Sequence, residues 1–285
     1  MDDRFPFCPR GQRKGIWPLG LLILLVSILW VIPLITGCQR PKAGITVAGS
    51  TSVEPFAELL AEEYMRLHPE SHIYVQGGGS SSGIVAARSG AAAIGMASRL
   101  LLPNEQDLRP VEIARDAIAI IVHPSNPVGT LSLVQARDIF SGKITDWKEV
   151  GGRSHPIVLV TREEGSGTRE AFQKFVMEKE EVSFDALVQD SNGAIRQVVS
   201  SDPNAIGYIS LGLVNDKVRA LKASGVEPDH ANIENGKYTL IRPFLFVFNG
   251  EPRGEAKAFL EFVLSREAQE LLRKEGLVPV FRRPG

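Results

Sequence analysis

Three short turns of this 285-residue chain contain the residue types that bind a small anion. They lie at 49–52 (GSTS), 77–83 (GGGSSSG) and 162–168 (REEGSGT). Glycine lets the backbone come close to a ligand, and the hydroxyls of serine and threonine add hydrogen-bond donors without adding charge. A helix cap needs only one hydroxyl, so turns that carry two or three predict a function beyond capping.

Arg162 adds a cation to the third turn. Its guanidinium can hold two oxygens of a tetrahedral anion through paired N–H donors. Glu164, two residues further on, is predicted to pair with Arg162 and fix its orientation. The alternative is that Arg162 forms a surface ion pair and binds no ligand.

The elements that must position these turns alternate between strand and helix. Strands are predicted at 45–48, 72–76 and 157–161, each directly before a turn, and helices at 53–67, 84–88 and 168–177 follow the turns. A helix N-terminus presents unpaired N–H groups and the positive end of the helix dipole, which favours an anion. Alternating units of this kind predict an α/β fold with a mainly parallel sheet.

Two longer apolar runs, at 113–123 and 239–248, divide the chain into outer and inner parts. We interpret them as crossover strands between two lobes. The predicted boundaries are 45–117 and 240–285 for the first lobe and 118–239 for the second. A single amphipathic helix is predicted at 256–274.

The composition excludes several classes of function. With 44% hydrophobic and 23% charged residues and a net charge of −1, the chain is globular and has no general attraction for nucleic acid. The two cysteines are too few for a disulfide framework or a four-cysteine zinc site. The five histidines form no cluster with the spacing of metal ligands, so neither a metal site nor a cofactor is predicted.

Residues 1–37 are predicted to be a secretory signal peptide, because basic residues precede an apolar run at 16–35. The run ends in Thr36-Gly37-Cys38, which resembles the lipobox of bacterial lipoproteins. Cys38 would then carry diacylglycerol and a palmitate-type chain, and residues 38–44 would form a tether. The alternative is an uncleaved signal anchor, since about 20 apolar residues can span a bilayer.

Taken together, the motifs resemble the PstS family, the substrate-binding proteins of bacterial high-affinity phosphate ABC transporters. The segments that carry the resemblance lie at 49–55, 77–83, 94–99, 113–117, 139–147 and 162–168. The resemblance implies a type II periplasmic-binding-protein fold, with two α/β lobes that close on one phosphate and no enzymatic activity. It also implies an exported monomer in the bacterial cell envelope, whose partners are the membrane permease and its ATPase.

The resemblance also implies a set of phosphate-binding residues. They are Thr51, Ser52 (through its backbone N–H), Ser80, Arg162, Ser166, Gly167 and Thr168, and Ser50 and Ser98 are further candidates beside them. In longer members of the family an aspartate near the position of Ser98 accepts a hydrogen bond from the ligand. Asp116 is the candidate replacement here, and the alternative for Asp116 is an ion pair with Arg99, Arg115 or Arg162.

Two other functions remain open on the sequence. The first is binding of another tetrahedral oxyanion such as sulfate, because hydroxyls, amides and Arg162 can hold either ion. The second is a serine hydrolase, because residues 79–83 match G-x-S-x-G with Ser81 as the nucleophile. Asp116 with His155 or His230 would then complete the triad.

Overall fold

The computed structural model describes residues 44–280. The strands of this part are β1 (Ile45–Gly49), β2 (Ile73–Gly77), β3 (Ile94–Ala97), β4 (Arg109–Val122), β5 (Thr130–Leu131), β6 (Val158–Arg162), β7 (Leu187–Gln189), β8 (Ala205–Ser210), β9 (Arg219–Ala220), β10 (Lys222–Ala223), β11 (Ile241–Phe248) and β12 (Val278–Pro279). Its α-helices are α1 (Glu54–Leu67), α2 (Ser80–Ser89), α3 (Leu133–Phe140), α4 (Gly167–Phe172), α5 (Asn192–Ser201), α6 (His230–Glu234), α7 (Gly254–Val263) and α8 (Arg266–Lys274). A π-helical segment, Gln173–Met177, continues α4.

The main sheet has the strand order β2-β1-β3-β11-β4-β8-β6-β7. Strand β1 is parallel to β2 and β3, and β6 is parallel to β7 and β8. Strands β4 and β11 run antiparallel to their neighbours. The α/β class is therefore confirmed, but the sheet is mixed rather than mainly parallel as predicted, because every pairing that β4 and β11 make is antiparallel.

Strands β4 and β11 are the two apolar runs of the sequence. They pair with each other from Ile241 opposite Ala117 to Phe248 opposite Arg109. Beyond Ala117, β4 changes partner and pairs with β8, from Ile118 opposite Ser210 onward. One continuous strand thus belongs to both parts of the sheet.

The two largest hydrophobic cores lie on the two parts of the sheet. In the first core, α1, α7 and α8 pack on β1, β3, β11 and the first part of β4, with Phe246 and Phe259 fully buried. In the second core, α3 and α4 pack on the second part of β4 and on β8, where the rings of Phe172 and Tyr208 stack at 3.9 Å. Helix α5 packs on the opposite face of that part of the sheet.

The C-terminal helix differs from the prediction. The structure has two helices, α7 and α8, where the sequence pattern predicts one at 256–274. The break comes at Ser265, whose hydroxyl accepts a hydrogen bond of 3.2 Å from the Ala268 amide and so caps the start of α8.

The predicted signal peptide and Cys38 lie outside the described residues. Within residues 44–280, no helix is both long and apolar enough to cross a membrane. The same part of the chain contains no group of three or more histidine, cysteine, aspartate or glutamate side chains that could hold a metal ion.

Candidate oxyanion-binding site

The first turn follows β1 and is held against the end of β3. Gly49 has a φ of +139°, and a Cβ atom there would lie 2.3 Å from the Met96 carbonyl oxygen, so only glycine fits. The Ser50 hydroxyl donates to Ser98 Oγ at 2.9 Å. It also accepts from the Ser52 amide at 3.2 Å, which therefore bonds within the turn.

The second and third turns meet at the same place. The Ser98 amide donates to Ser80 Oγ at 3.0 Å, and the two hydroxyl oxygens are 3.4 Å apart. Gly167, the first residue of α4, packs directly on them, because a Cβ atom there would lie 2.3 Å from Ser80 Oγ and 2.6 Å from Ser98 Oγ. The turns before α2 and α4 therefore converge on the end of β3.

Thr168 joins the third turn to the first. Its hydroxyl oxygen lies 2.8 Å from Ser52 Oγ, and both residues are buried. Ser166 has a more local role, because its hydroxyl accepts from the Arg169 amide at 3.3 Å and caps α4. The structure thus brings the predicted residues of all three turns together, with Ser166 serving as a cap at their edge.

Arg162, the last residue of β6, is 1% exposed and reaches across to the first turn. Its Nη2 donates to Thr51 Oγ1 at 3.1 Å. Its Nε and Nη2 each donate to one oxygen of Glu163 at 2.8 Å. The predicted pairing with Glu164 is wrong, because the chain bends after Glu163 and Glu164 is exposed.

Arg242 is a second cation of the site, and the sequence analysis missed it. It lies in β11 directly opposite Asp116 of β4. Its Nε and Nη2 donate to Asp116 Oδ2 at 3.0 and 2.9 Å, and both side chains are fully buried. The remaining N–H groups reach three hydroxyls: Thr168 at 2.7 Å, Ser52 at 3.1 Å and Ser98 at 3.3 Å. The available signal was a single arginine within an otherwise apolar strand.

Asp116 fixes the position of the Arg242 side chain by accepting its two hydrogen bonds. Its Oδ1 accepts from the Ser210 hydroxyl at 2.8 Å, and the Ala117 amide also favours the ionised carboxylate. The three predicted ion-pair partners are wrong: Arg99 pairs with Glu105 and Glu170, Arg115 pairs with Glu112, and Arg162 pairs with Glu163. Arg242 takes this position because the pairing of β4 with β11 places it opposite Asp116.

Asn192, at the start of α5, is a further residue that the sequence analysis missed. Its Nδ2 donates to Ser52 Oγ at 2.9 Å and to Thr51 Oγ1 at 3.4 Å. Its Oδ1 accepts from the Ser210 amide at 3.1 Å. Asn192 begins α5 shortly after the end of β7, so it lies at a fourth junction between a strand and a helix, and this pattern could have revealed it.

The charged groups of the site shift one another's pKa values. Burial lowers the pKa of Arg242, Asp116 opposes that effect, and the like charge of Arg162 adds to it. Burial raises the pKa of Asp116, whereas Arg242 and Ser210 lower it. A guanidinium stays protonated in proteins, so two cations share one buried region. An anion bound there would be stabilised by both.

Within residues 44–280, Ser81 has no histidine partner. Its hydroxyl accepts from Arg99 Nη2 at 3.1 Å, and Asp116 is bound to Arg242. His230 bonds the Leu277 carbonyl oxygen at 3.1 Å, and His155 is exposed. Within the described residues, the triad required for a serine hydrolase is therefore not formed.

The chain matches known proteins over most of its length. A model of the PBP superfamily domain matches residues 36–267. The phosphate-binding protein PstS of Bacillus subtilis (strain 168) is 32% identical over 250 residues, which cover 86% of this chain and 83% of that protein. This chain belongs to the PstS family. PstS-family proteins are substrate-binding proteins of transport systems rather than enzymes, which agrees with the arrangement around Ser81.

Solved structures of PstS-like proteins share the fold. A crystal structure with bound phosphate, of a substrate-binding protein assigned to a phosphate ABC transporter of Clostridium perfringens, is 46% identical with a TM-score of 0.81. It covers 84% of this chain and 100% of that one. An ABC-type phosphate transport receptor from Vibrio cholerae is 38% identical with a TM-score of 0.69, over 83% of this chain and 100% of that one. The predicted type II periplasmic-binding-protein fold is confirmed.

Proposed function

We propose that the chain is an exported, lipid-anchored binding protein that captures inorganic phosphate and delivers it to an ABC-type importer. The observation that carries the proposal is Arg162 Nη1, which is buried and has no hydrogen-bond partner within residues 44–280. Leaving a buried donor unpaired costs about 1–3 kcal/mol, and more when the group is charged. An oxyanion held between the three turns would pair with it.

The surrounding groups also suit a tetrahedral oxyanion. Each turn contributes a hydroxyl: Thr51 contacts Arg162, Thr168 contacts Arg242, and Ser80 contacts Ser98, which in turn contacts Arg242. Hydroxyl, amide and guanidinium donors pair well with charged oxygens. The name of the Bacillus subtilis relative and the phosphate in the Clostridium perfringens structure support phosphate as the ligand.

Asp116 has a different role in this proposal from the one that the sequence predicts. Its carboxylate contacts Arg242 and Ser210 rather than the hydroxyls of the turns. We therefore assign it the task of holding Arg242 in place. Arg242, in turn, orients the hydroxyls of Ser52, Ser98 and Thr168.

Binding requires that the two cores move apart. Ser80, Ser98, Arg162 and Thr168 are each at most 1% exposed, so an anion cannot reach them while the turns are in contact. The turn before α1 adjoins the first core, α2 packs in a separate cluster against β3 and β11 of the same part of the sheet, and the turn before α4 adjoins the second core. We propose that the cores correspond to the lobes 45–117 with 240–285 and 118–239, and that β4 and β11 bend between them.

Lipid anchoring is proposed from the segment around Cys38. A single acyl chain anchors a protein only marginally, whereas two or three anchor it stably. We expect Cys38→Ser to block lipidation and to leave an unprocessed precursor in the cell. Metabolic labelling with palmitate and the mass of the N-terminal peptide would check this. Normal cleavage and release of the variant would indicate an ordinary secretory signal.

Calorimetry with phosphate tests the central proposal. Arg162→Ala is expected to weaken binding by about 2–5 kcal/mol, as for one partner of a buried charge pair. Arg88→Ala is the matched control, because Arg88 forms an exposed ion pair with Asp107 away from the site. Wild-type affinity in Arg162→Ala, or equal losses in both variants, would contradict the assignment.

A further inference from the structure

A contact between the two proposed lobes lies beside the oxyanion site and is centred on Arg99. This residue follows β3 in the first lobe, and its side chain is buried. Its Nη1 donates to the Leu100 carbonyl oxygen at 3.0 Å and to Glu105 Oε2 at 2.6 Å. Its Nη2 donates to Ser81 Oγ at 3.1 Å and to Glu105 Oε1 at 3.0 Å. Groups of the first lobe therefore engage all the N–H donors of Arg99 except the one on Nε.

The Nε donor of Arg99 faces the second lobe. It lies 2.7 Å from Glu170 Oε2, and it has no other partner within residues 44–280. Glu170 belongs to α4, the helix that also carries Gly167 and Thr168 of the third turn. Because the first lobe already fixes Arg99, closure brings Glu170 to a donor that is in position.

Ser81 adds a backbone contact across the same boundary. Its amide donates to the Gly165 carbonyl oxygen of the third turn at 3.1 Å. The two residues pack closely, because a Cβ atom on Gly165 would lie 3.2 Å from Ser81 Cβ. The Ser81 hydroxyl accepts from Arg99 Nη2, so Ser81 joins the arginine to the backbone contact.

The contact between Arg99 and Glu170 is separate from the proposed ligand contacts. Arg99 bonds to Glu105, Glu170 and Ser81, whereas the hydroxyls of Thr51 and Thr168 bond to the two arginines of the site. A substitution of Glu170 should therefore leave the groups that hold the anion in place.

The contact supplies an acceptor more than it supplies a charge. Burial raises the pKa of Glu170 more than Arg99 lowers it, so the negative charge alone gains little from closure. The Nε donor of Arg99, however, is buried only while the turns are in contact, and water can reach it when the lobes separate. Without an acceptor at position 170, closure would leave a charged donor unpaired, which disfavours the closed state by roughly 5- to 150-fold.

We infer that Glu170 is a positioning residue for anion binding, which holds the lobes closed by accepting from Arg99 Nε. The inference rests on the proposed function, in which the lobes close on phosphate. The contact forms only after the anion has entered the site. It should therefore slow the release of phosphate and leave the rate of association unchanged.

Release of radiolabelled phosphate from the full chain into an excess of unlabelled phosphate tests the inference. Glu170→Ala should raise the dissociation rate by roughly tenfold or more. The association rate constant, obtained from this rate and the calorimetric affinity, should stay within about twofold of the wild-type value. The free energy of unfolding without phosphate should change little, because the side chain of Glu170 is partly exposed and borders an open groove.

Two further variants test whether the acceptor is what matters. Glu170→Gln keeps an oxygen for Arg99 Nε, so its dissociation rate should stay within about threefold of the wild-type rate. Glu170→Met has a similar length without a comparable acceptor, and it should release phosphate as fast as Glu170→Ala does. The comparison of Gln with Met decides the matter even if Glu170→Ala does not fold.

Glu180→Ala is the matched control, because Glu180 pairs with Lys143 inside the second lobe and both side chains are exposed. Wild-type release from Glu170→Ala, or an equal rise in Glu180→Ala, would overturn the inference. So would a change confined to association, or a dissociation rate in Glu170→Gln as high as that in Glu170→Met. Failure of the wild type to bind phosphate would instead overturn the proposed function.

Discussion

Arg162 and Arg242 occupy the same site but are supported in different ways. Arg162 ends a strand, and its carboxylate partner is the next residue, Glu163, whose side chain is 28% exposed. Arg242 lies within β11, and its partner Asp116 is 126 residues away and fully buried. Arg162 keeps free N–H groups, whereas all those of Arg242 are engaged within the protein. We therefore expect a substitution of Arg162 to weaken ligand binding more than it lowers stability. A substitution that affects Arg242 should reduce ligand binding and stability together.

Asp116→Asn should have the largest effect, because it leaves the charge of Arg242 buried without a counter-ion. Removing one partner of a buried pair destabilises a protein by about 3–5 kcal/mol. Urea denaturation without ligand would measure the free energy of unfolding, and calorimetry would measure phosphate binding. Glu112→Gln is the control, since Glu112 forms an exposed pair with Arg115 on the same strand and should matter by less than about 1 kcal/mol. Equal effects of the two variants would remove the distinction between the arginines.

The double variant Asp116→Leu with Arg242→Met separates the two contributions of the pair. Replacing a buried ion pair with apolar side chains is often neutral or stabilising, by about 1–4 kcal/mol. We expect the free energy of unfolding to return to near the wild-type value while phosphate binding stays weak. Recovery of phosphate binding would show that Arg242 is not part of the site.

Much of the site follows from local sequence. The sequence predicts the three turns because each one joins a strand, a run of small residues and a helix within about a dozen positions. Arg162 is predicted with them because it lies in the third turn. The pairing of Asp116 with Arg242 was beyond such patterns, because only the register of β4 against β11 makes these two residues neighbours. The direction of the long strands was missed for the same reason. Pairing between distant segments depends on the packing of both cores, so the sequence of either segment alone does not predict it.

Ser80→Ala should have an intermediate effect on binding and a small one on stability. It removes one hydroxyl donor to a charged ligand, which is worth about 1.5–3 kcal/mol. Ser82→Ala is the matched control, because Ser82 lies in the same helix and its hydroxyl donates to the Gly78 carbonyl oxygen. Calorimetry of both variants checks the prediction. A loss in Ser82→Ala as large as that in Ser80→Ala would point to a disturbed helix instead.

The ion pair of a third arginine, Arg99, with Glu105 should make the stability of the protein depend on pH in the acid range. Burial opposes the ionised form of Glu105, but hydrogen bonds from Arg99 and the Leu102 amide outweigh it and lower the pKa of Glu105. The stabilisation is therefore present above the ordinary carboxylate pKa and is lost as the pH falls through the lowered value. Denaturation between about pH 2 and pH 6 should show this loss in the wild type and a smaller one in Glu105→Gln. Identical profiles would exclude Glu105 as the cause.

Gly167 lets the start of α4 pack in direct contact with Ser80 and Ser98, because it has no side chain to separate them. Its backbone has no left-handed φ, so an alanine would fit the helix, but the added methyl group would overlap the oxygens of Ser80 and Ser98. A single added carbon atom at position 167 would therefore hold the three turns apart by steric overlap, while each core stays folded. The fit of the whole molecule around its ligand thus depends on a side chain that consists of one hydrogen atom.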